Sequence, residues 1–448
     1  MSATLARCSR LIDGGGFCVA TSLVARRSLE LVEVSLSSRW SRRRIADLGE
    51  KPIPAGPRIT CVIPMYQEQD IAADTVRAWH EIVQQSSIEQ VVLVTTTKEQ
   101  PAAGRSTHDV LLEALTALHR GDDRILLLRC EDVTPFRASQ LNLAVEHARR
   151  RQAVTHTSHD EIWIGVYNAD SRPQPSTFSE LAQRTRAEPR TRIFQQLVDY
   201  VVPQRPGTGH VAVGNAVLMT WWTRSHYWAR NQRGSRGASW WSATAPYSTF
   251  GHGEFIRIDF LDEIGGFPDF AYADGLLLGW ICRLRAEPIG LLASRDVAEV
   301  PRTATDLLTQ QTAWMRGLLN FGVTTQWCRD HGHLRLTSRE VALLRLAHGS
   351  IPVVWGLSSI AAGAAFAHSV GRITAGRASR ADFLKLAVLT SHALLPALLP
   401  RADLQPRHPR VRRMLGASLA WPVEGLAFWP ALIARLRRTG HPPTKTPR

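Results

Sequence analysis

The residues with the clearest chemical potential are Asn168 and Asp170, which directly follow an apolar run from Ile162 to Tyr167. Residues i and i−2 of an extended chain point to the same side, so these amide and carboxylate oxygens can reach one ligand together. Oxygen ligands suit Mg²⁺ or Mn²⁺, which keep several coordination positions for phosphate groups. The alternative is an Asx-turn that ends a strand, because Asn and Asp are common there. The predicted elements around the pair are needed to distinguish a cation site from an Asx-turn.

The chain around this pair is predicted to alternate between strands and helices. Apolar runs rich in β-branched residues predict strands at ITCVIPMY, VVLVTTT, ILLLRC and IWIGVY. Helical spacing of apolar residues predicts helices at 71–82, 110–118 and 139–151. Strands that are apolar throughout and alternate with helices indicate a parallel sheet covered on both faces. Ligands of such sheets bind beyond the carboxyl ends of the strands, where the polar residues after three of these runs are expected.

The composition favours an anionic partner. The chain has 448 residues, a net charge of +15 and a sequence pI of about 10.4. Such a charge suits nucleic acid, a phosphorylated substrate or a membrane surface, although a high arginine content without a dedicated partner is the alternative. The six cysteines form no C-x-x-C pair, which argues against a zinc knuckle or a disulfide scaffold and favours a reducing compartment.

Three regions are predicted from changes in composition. Residues 1–57 read as a basic leader that ends in the linker KPIPAGP, residues 58–325 as a folded α/β domain, and residues 326–448 as interfacial and transmembrane helices with basic loops. The candidate spans are Gly349–Ala367, Phe383–Pro400 and Leu415–Leu436. Buried core helices are the alternative for each, and the third could instead be a re-entrant or interfacial helix.

The orientation of these spans is predicted from the loop between the second and the third, RADLQPRHPRVRRM. It contains five arginines, and positively charged loops stay in the cytoplasm. We therefore expect a multi-pass protein of the cell membrane whose α/β domain faces the cytoplasm.

The stretch from Trp221 to Trp241 interleaves aromatic residues with arginines. It could lie at the membrane surface near a lipid or sugar acceptor. Single-stranded nucleic acid is also bound by such a mixture, but no nucleic-acid fold signature accompanies it. We therefore expect no nucleic-acid partner.

The motifs VIPMYQEQ, VVLVTTT, RASQLNLA, VYNADSRP, GHGEFIRIDFLDEIGGFP, YADGLLLG and QQTAWMRG follow one another between Arg58 and Asn320. Their order resembles the family-2 glycosyltransferases of GT-A fold, and in particular the membrane-bound branch that includes cellulose and hyaluronan synthases. The resemblance implies a Rossmann-like mixed sheet with helices on both faces, followed by C-terminal transmembrane or interfacial helices. It also implies a nucleotide-sugar donor and a lipid or glycan acceptor.

The resemblance assigns donor-binding roles along the first half of the chain. The first-strand loop of the family cradles the nucleoside, and Pro64, Tyr66 and Glu68 match it. The second strand of the family ends on an Asp that holds the base or the ribose, but here Thr95 and its neighbours stand in that place. Asn142 belongs to the helix that usually reads G-K-x-x-A-L-N, with Arg137 near the position of its lysine.

The resemblance also assigns the metal and the base. Asp170 matches the last Asp of the D-x-D motif, which binds Mg²⁺ or Mn²⁺, and Asn168 replaces the first Asp and brings no charge. Asp274 in YADGLLLG matches the general base of inverting members, which removes the proton from the acceptor hydroxyl. A helix N-cap is the alternative role for Asp274, because it precedes the apolar residues 276–281.

The acceptor and diphosphate end is expected in two later segments. Two glycines around His252 predict a loop that lets backbone approach a substrate. Gln310 and Trp314 match the Q-x-x-R-W motif of the family, but Ala313 stands where its arginine is usually found. Arg316 lies one helical turn further on and could supply the cation.

Together these patterns predict an inverting, metal-dependent glycosyltransferase of polysaccharide or glycolipid biosynthesis. The alternative is a non-catalytic or weakened membrane scaffold of the same fold. It is motivated by Asn168, by Ala313 and by the missing carboxylate after the second strand.

Overall fold

A computed structural model describes most of the chain. The described residues are 3–49, 56–99, 104–118, 123–131, 137–155, 158, 161–203, 205, 208–235, 248–271, 273–398 and 409–437.

The centre of the described chain is a mixed sheet of seven strands. In chain order the strands are β1 Arg58–Pro64, β2 Gln90–Thr96, β3 Ile125–Cys130, β4 Ile162–Val166, β5 Ile193–Val201, β6 Glu254–Arg257 and β7 Gly290–Glu299. Their order across the sheet is β3-β2-β1-β4-β6-β5-β7. Neighbouring strands run parallel except that β6 is antiparallel to both β4 and β5. The predicted α/β class is confirmed, and the one reversed strand makes the sheet mixed.

Alternate residues of the central strands face two separate apolar cores. Val62 and Val92 pack with the helix that follows β3, whereas Cys61 and Val91 pack with the helices that follow β1 and β2. This division follows from the two-residue period of a strand. It explains why the strands contain no polar face, since helices cover both sides of the sheet.

The helices of the first part of the chain lie around this sheet. They are α1 Ala3–Gly49, α2 Gln69–Gln84, α3 Thr107–Leu118, α4 Ala138–Thr155, α5 Ser176–Ala187, α6 His210–Trp222, α7 Trp228–Ser235, α8 Ile258–Glu263 and α9 Asp274–Leu284. A π-helical turn, Thr223–Tyr227, joins α6 to α7. The later helices are α10 Ala304–Leu318, α11 Phe321–Asp330, α12 Ser338–Thr374, α13 Arg380–Leu394 with a 3₁₀ turn Leu395–Leu398, α14 Arg410–Leu426 and α15 Phe428–Leu436.

Helix α6 connects the α/β part to the C-terminal helices through a very close crossing with α14. A methyl group on Gly214 would lie 1.9 Å from the carbonyl oxygen of Gly416, so the two backbones are in direct contact. Leu218 of α6, Leu307 of α10 and Ala417 of α14 continue this contact as one buried cluster. The C-terminal helices therefore pack on the elements that follow β5 and β7.

Within the described part of the chain, two helical segments are long and apolar enough to cross a membrane. They are Ser338–Thr374 and Val411–Leu436. In the most apolar 18-residue stretch of each segment, 22% of the first and 39% of the second is buried. They include the first and the third predicted spans. The second predicted span lies in α13, its 3₁₀ turn and two residues outside the described part.

Candidate functional site

The predicted edge of the sheet brings several of the motifs together. The backbone N–H of Tyr167 bonds to the carbonyl oxygen of Val62 at 2.9 Å, so the residues after β4 run beside the end of β1. The N–H of Gly253 bonds to Val166 O at 2.8 Å, which places the G-H-G segment on the other side of β4. The segment from Asn168 to Asp170 therefore lies between the first-strand loop and the loop that precedes β6.

Arg137, immediately before α4, joins three parts of this edge. Its Nη1 donates to Oδ1 of Asn168 at 2.9 Å, and its Nη2 donates to the carbonyl oxygen of Gly251. The same Nη2 forms an ion pair with Oδ2 of Asp274 at 3.0 Å. The sequence shows Arg137 only as a residue near the position of the family lysine, because nothing in its neighbours predicts these partners.

Asp274 is the first residue of α9, and its side chain does not cap the helix. The N-cap position is occupied by Ala273, which makes no side-chain cap hydrogen bond and adopts φ 68°. A non-glycine residue in the left-handed region is strained, and such strain clusters at functional sites. The side chain of Asp274 is 15% exposed, so the carboxylate is paired with Arg137 while solvent still reaches it.

The loop before β6 and the helix α9 are in backbone contact. A methyl group on Gly275 would lie 2.1 Å from Gly251 N, and one on Gly279 would lie 2.4 Å from Ser248 Cα. Gly251 itself has φ 79°, a conformation that favours glycine. These contacts fix the position of Asp274 relative to the Gly251 carbonyl that Arg137 binds.

Asp170 lies at the same edge and is attached to β7. Its Oδ2 accepts a hydrogen bond from the backbone N–H of Glu299 at 2.8 Å, and only 5% of the residue is exposed. Ser171 Oγ donates to Oδ2 of Asp296 at 2.7 Å, and Arg172 N–H donates to Oδ1 at 3.0 Å. Asp296, which the sequence motifs did not predict as part of the site, therefore holds the turn that carries Asp170.

His252 is held by the same buried carboxylate. Its Nδ1 lies 2.9 Å from Oδ2 of Asp296, and Nε2 of Gln195 donates to its carbonyl oxygen at 2.8 Å. His252 is 6% exposed and Asp296 is fully buried. The imidazole is thus oriented by β7 and lies on the Asp170 side of the edge.

The metal prediction fits only part of this geometry. Asp170 offers a carboxylate of the right chemistry for a hard divalent cation. The amide oxygen of Asn168, however, accepts a hydrogen bond from Arg137. A guanidinium cation therefore occupies the position next to this oxygen that a metal ion would need. Within the described ranges, no group of three or more His, Cys, Asp or Glu side chains is arranged to hold a metal ion. Any cation there would depend on Asp170 and on ligands brought by the substrate.

The predicted nucleoside end contains an unpredicted carboxylate, that of Glu99. Glu99 lies three residues after the end of β2, and its Oε1 accepts from Gln69 Nε2 at 2.6 Å and from Thr107 Oγ1 at 2.8 Å. The N–H of Glu68 donates to the same Thr107 hydroxyl at 2.8 Å. The sequence motif predicts Thr95, Thr96, Thr97 and Lys98 at this strand end and no carboxylate, whereas Glu99 comes next in the chain and contacts the first-strand loop through Gln69 and Thr107.

The other residues predicted for the donor differ in accessibility. Thr95 is buried, and its hydroxyl lies 2.9 Å from Nδ1 of His108. It therefore connects the end of β2 to α3 and is not exposed to a ligand. Asn142 uses both ends of its amide on the backbone of Phe267, at 2.7 and 3.1 Å. Tyr66 is half-buried beside Gln67, which has φ 54°. Pro64 ends β1 at the same edge.

Helix α10 carries the residues predicted for the acceptor end. Its Met315 packs on α15, and its Thr303 N-cap accepts from the N–H of Asp306 at 3.1 Å. Helical spacing puts Gln310 and Trp314 on one face, and Trp314 is 36% exposed. Two further residues correspond to a rotation of about 200°, so Arg316 lies on the other side of the helix from Trp314.

Glu254 adds an unpredicted carboxyl group to the site. It begins β6, is fully buried, and neither oxygen makes a hydrogen bond of good geometry. The hydroxyl of Thr249 is close, but it donates to the carbonyl oxygen of Gly275 instead. Burial, and then the charge of Asp274, raise the pKa of Glu254 to about 7, against smaller opposing effects of the Thr249 hydroxyl, of Arg137 and of the Gly251 backbone.

The comparisons with known proteins give only distant likenesses. No protein-family model and no curated protein sequence matches the chain. A mannosyltransferase from Pyrobaculum calidifontis, in complex with GDP-Man and Mn²⁺, is similar over 94% of this chain and 99% of its own, with 15% identity and a TM-score of 0.49. S. aureus TarS 1–349 in complex with UDP-GlcNAc is similar over 85% of this chain and 92% of its own, with 11% identity and a TM-score of 0.38.

Proposed function

We propose that this chain is an inverting glycosyltransferase that moves a sugar from a nucleotide-sugar donor to a lipid or glycan hydroxyl. The observation that carries the proposal is the position of Asp274. It lies at the strand edge where ligands of such sheets bind, it is partly exposed, and Arg137 joins it to Asn168 at the end of β4. A carboxylate held by a guanidinium in that place has the geometry of a general base.

In the proposed reaction, Asp274 accepts the proton of the acceptor hydroxyl as its oxygen bonds to the anomeric carbon. The bond between that carbon and the nucleotide diphosphate breaks at the same time, and the electron pair leaves with the diphosphate. Arg137 keeps the carboxylate oriented, and His252 is the residue proposed to meet the leaving diphosphate. A divalent cation at Asp170, when bound, would neutralise charge on the diphosphate.

The membrane part of the proposal rests on α12 and on the α14–α15 segment. Most of the apolar window of α12 is not buried against protein, and Leu346, Val354 and Leu357 are among its exposed residues. Exposed apolar surface of this extent needs a lipid or protein partner. We propose a lipid bilayer, with the α/β domain on the cytoplasmic side and transfer at that membrane face.

The second candidate function is a membrane scaffold that has kept the fold without the activity. The observation that favours it is the Arg137 contact with Asn168, which puts a guanidinium where the resembling family binds its metal. A scaffold of this kind would bind no nucleotide sugar.

Nucleotide binding separates the two functions. Detergent-purified protein is expected to be stabilised by one nucleoside diphosphate of a panel of GDP, UDP, ADP and CDP. At 100 times the Kd the gain is about 2.7 kcal/mol. Thermal shift with and without Mn²⁺ measures it, and Asp170→Ala is expected to remove the Mn²⁺-dependent part.

Asp330→Asn, at an exposed position of α11, is the matched control and should keep the whole shift. If folded wild-type protein is stabilised by no nucleotide in the panel, the scaffold is the better description. Stabilisation that is the same without Mn²⁺ would contradict the role given to Asp170.

A further inference from the structure

We propose that the outer face of helix α1 lies on an anionic phospholipid bilayer, with a row of apolar side chains against the acyl chains and two arginines at the headgroups. The apolar row consists of Ala25, Leu29, Val32 and Leu36, and the two arginines are Arg39 and Arg43. The inference rests on the membrane location proposed above. It assigns a lipid-binding surface to a part of the chain that no motif of the family resemblance covers.

The opposite face of α1 is attached to the α/β domain. Trp221 of α6 donates from Nε1 to Oε2 of Glu30 at 2.8 Å, and the same indole packs on Val34. Further along the helix, Ser41 Oγ donates to the carbonyl oxygen of Ala293 in β7 at 2.8 Å. These contacts fix the rotation of α1 about its axis, so they also fix which of its residues point away from the protein.

Large apolar side chains occupy the outer face. Leu29 is 68% exposed, Val32 57% and Leu36 47%. With the exposed Ala25 they follow one another at spacings of four, three and four residues, which places them in one row along a helix. Single exposed apolar residues are common on protein surfaces, but an unbroken row of about 16 Å indicates a partner.

The two arginines continue this row. Arg39 and Arg43 come three and seven residues after Leu36, and both are exposed. A helix face that is apolar at one end and cationic at the other matches the boundary between acyl chains and anionic headgroups. A second copy of this chain fits less well, because it carries the same arginines and a net charge of +15.

Helix α1 also adjoins the helices that are predicted to lie in the membrane. It contacts α12 and α13 as well as the α/β domain. Both of these helices expose apolar side chains, among them Leu357 of α12 and Phe383 of α13. A bilayer that covers α12 and α13 would therefore meet α1 too. Arg39 and Arg43 flank Ser41, so they belong to the part of α1 that is attached to the α/β domain.

Photocrosslinking tests which partner covers the outer face of α1. A benzophenone amino acid replaces Val32, Leu357 or Val154 in the full-length protein, in nanodiscs of equal parts phosphatidylglycerol and phosphatidylcholine. Val154 is the matched control, since it is a valine of α4 with 79% exposure on the α/β domain. Mass spectrometry after irradiation should find phospholipid attached at positions 32 and 357 and none at 154.

The other outcomes separate this inference from the proposed membrane location. Lipid at position 357 without lipid at 32 would overturn the role of α1 and leave the membrane location intact. Lipid at neither position would remove the membrane location and this inference together, whereas nucleotide binding would still decide the catalytic proposal. Attachment of position 32 to a second copy or to another segment of the chain, or equal lipid attachment at 154, would also overturn the inference.

The headgroup part is tested with the benzophenone at Leu36, one turn before Arg39. Attached phosphatidylglycerol should exceed phosphatidylcholine by about fivefold for each arginine near the surface. Arg39→Gln combined with Arg43→Gln should bring the ratio close to one, whereas Arg150→Gln, at an exposed position of α4, should leave it unchanged. A ratio that the double substitution does not change would overturn the anionic partner.

Discussion

Replacing Asp274 with asparagine is expected to lower sugar transfer by about 10²- to 10⁴-fold, the usual contribution of a positioned general base. The amide has nearly the same shape but cannot accept the proton of the acceptor hydroxyl. Binding of the nucleotide diphosphate should be unchanged, since the predicted donor residues belong to other elements. Because Asp274 is partly exposed and does not cap α9, the folded state should tolerate the change.

The measurement is release of nucleoside diphosphate from the nucleotide sugar chosen by the binding panel, in the presence of membrane lipid extract. Nucleotide-dependent thermal shift on the same preparation reports donor binding. Asp269→Asn, at an exposed position five residues earlier, is the matched control and should transfer at the wild-type rate. A turnover of Asp274→Asn within a few-fold of wild type, at equal binding, would show that another group removes the proton.

The first four strands follow from the sequence because each is a mostly apolar run between polar segments. Strands β5 and β6 could not be found in this way. Gln195 and Gln196 interrupt β5, yet both are fully buried, because Gln195 binds the G-H-G backbone and Gln196 Nε2 donates to Thr177 Oγ1 at 2.9 Å. Strand β6 has four residues and begins with Glu254. Partners distant in sequence satisfy these polar groups, and the local pattern does not show such partners.

The candidate site, like the sheet, is predictable from local sequence patterns only in part. The segment with Asn168 and Asp170 was predicted to lie at a strand edge, and the sheet places it there. What the sequence could not supply is the connection of Asp274 with Asn168, since Arg137 lies 31 residues before Asn168 and 137 before Asp274. Asp296 was missed for the same reason. It is a charged residue inside a strand, and its partners Ser171 and His252 come from two other segments.

Replacing Gly275 with alanine is expected to destabilise the protein by roughly 1–3 kcal/mol, the typical cost of inserting a methyl group into a packed contact. The new methyl would lie 2.1 Å from Gly251 N and 2.3 Å from Gly251 Cα, both backbone atoms that no side-chain rotation can move. The loop would have to shift, and with it the Gly251 carbonyl that Arg137 binds. We therefore expect turnover to fall together with stability.

Gly322→Ala provides the matched control, since Gly322 is also the second residue of its helix, α11. The nearest atom to its added methyl is the end of the Arg345 side chain at 3.7 Å, an ordinary contact. There the same substitution should be neutral or stabilise by up to about 1 kcal/mol through helix propensity.

Denaturant unfolding of both variants measures whether the free energy of unfolding falls in Gly275→Ala and stays equal or rises in Gly322→Ala. If Gly275→Ala is as stable as Gly322→Ala, the loop before β6 and α9 are not in backbone contact. If Gly275→Ala loses stability but transfers sugar at the wild-type rate, the contact serves the fold alone. In that case Arg137 and Asp274 reach their working arrangement without it, because the guanidinium can follow the carboxylate when the loop moves.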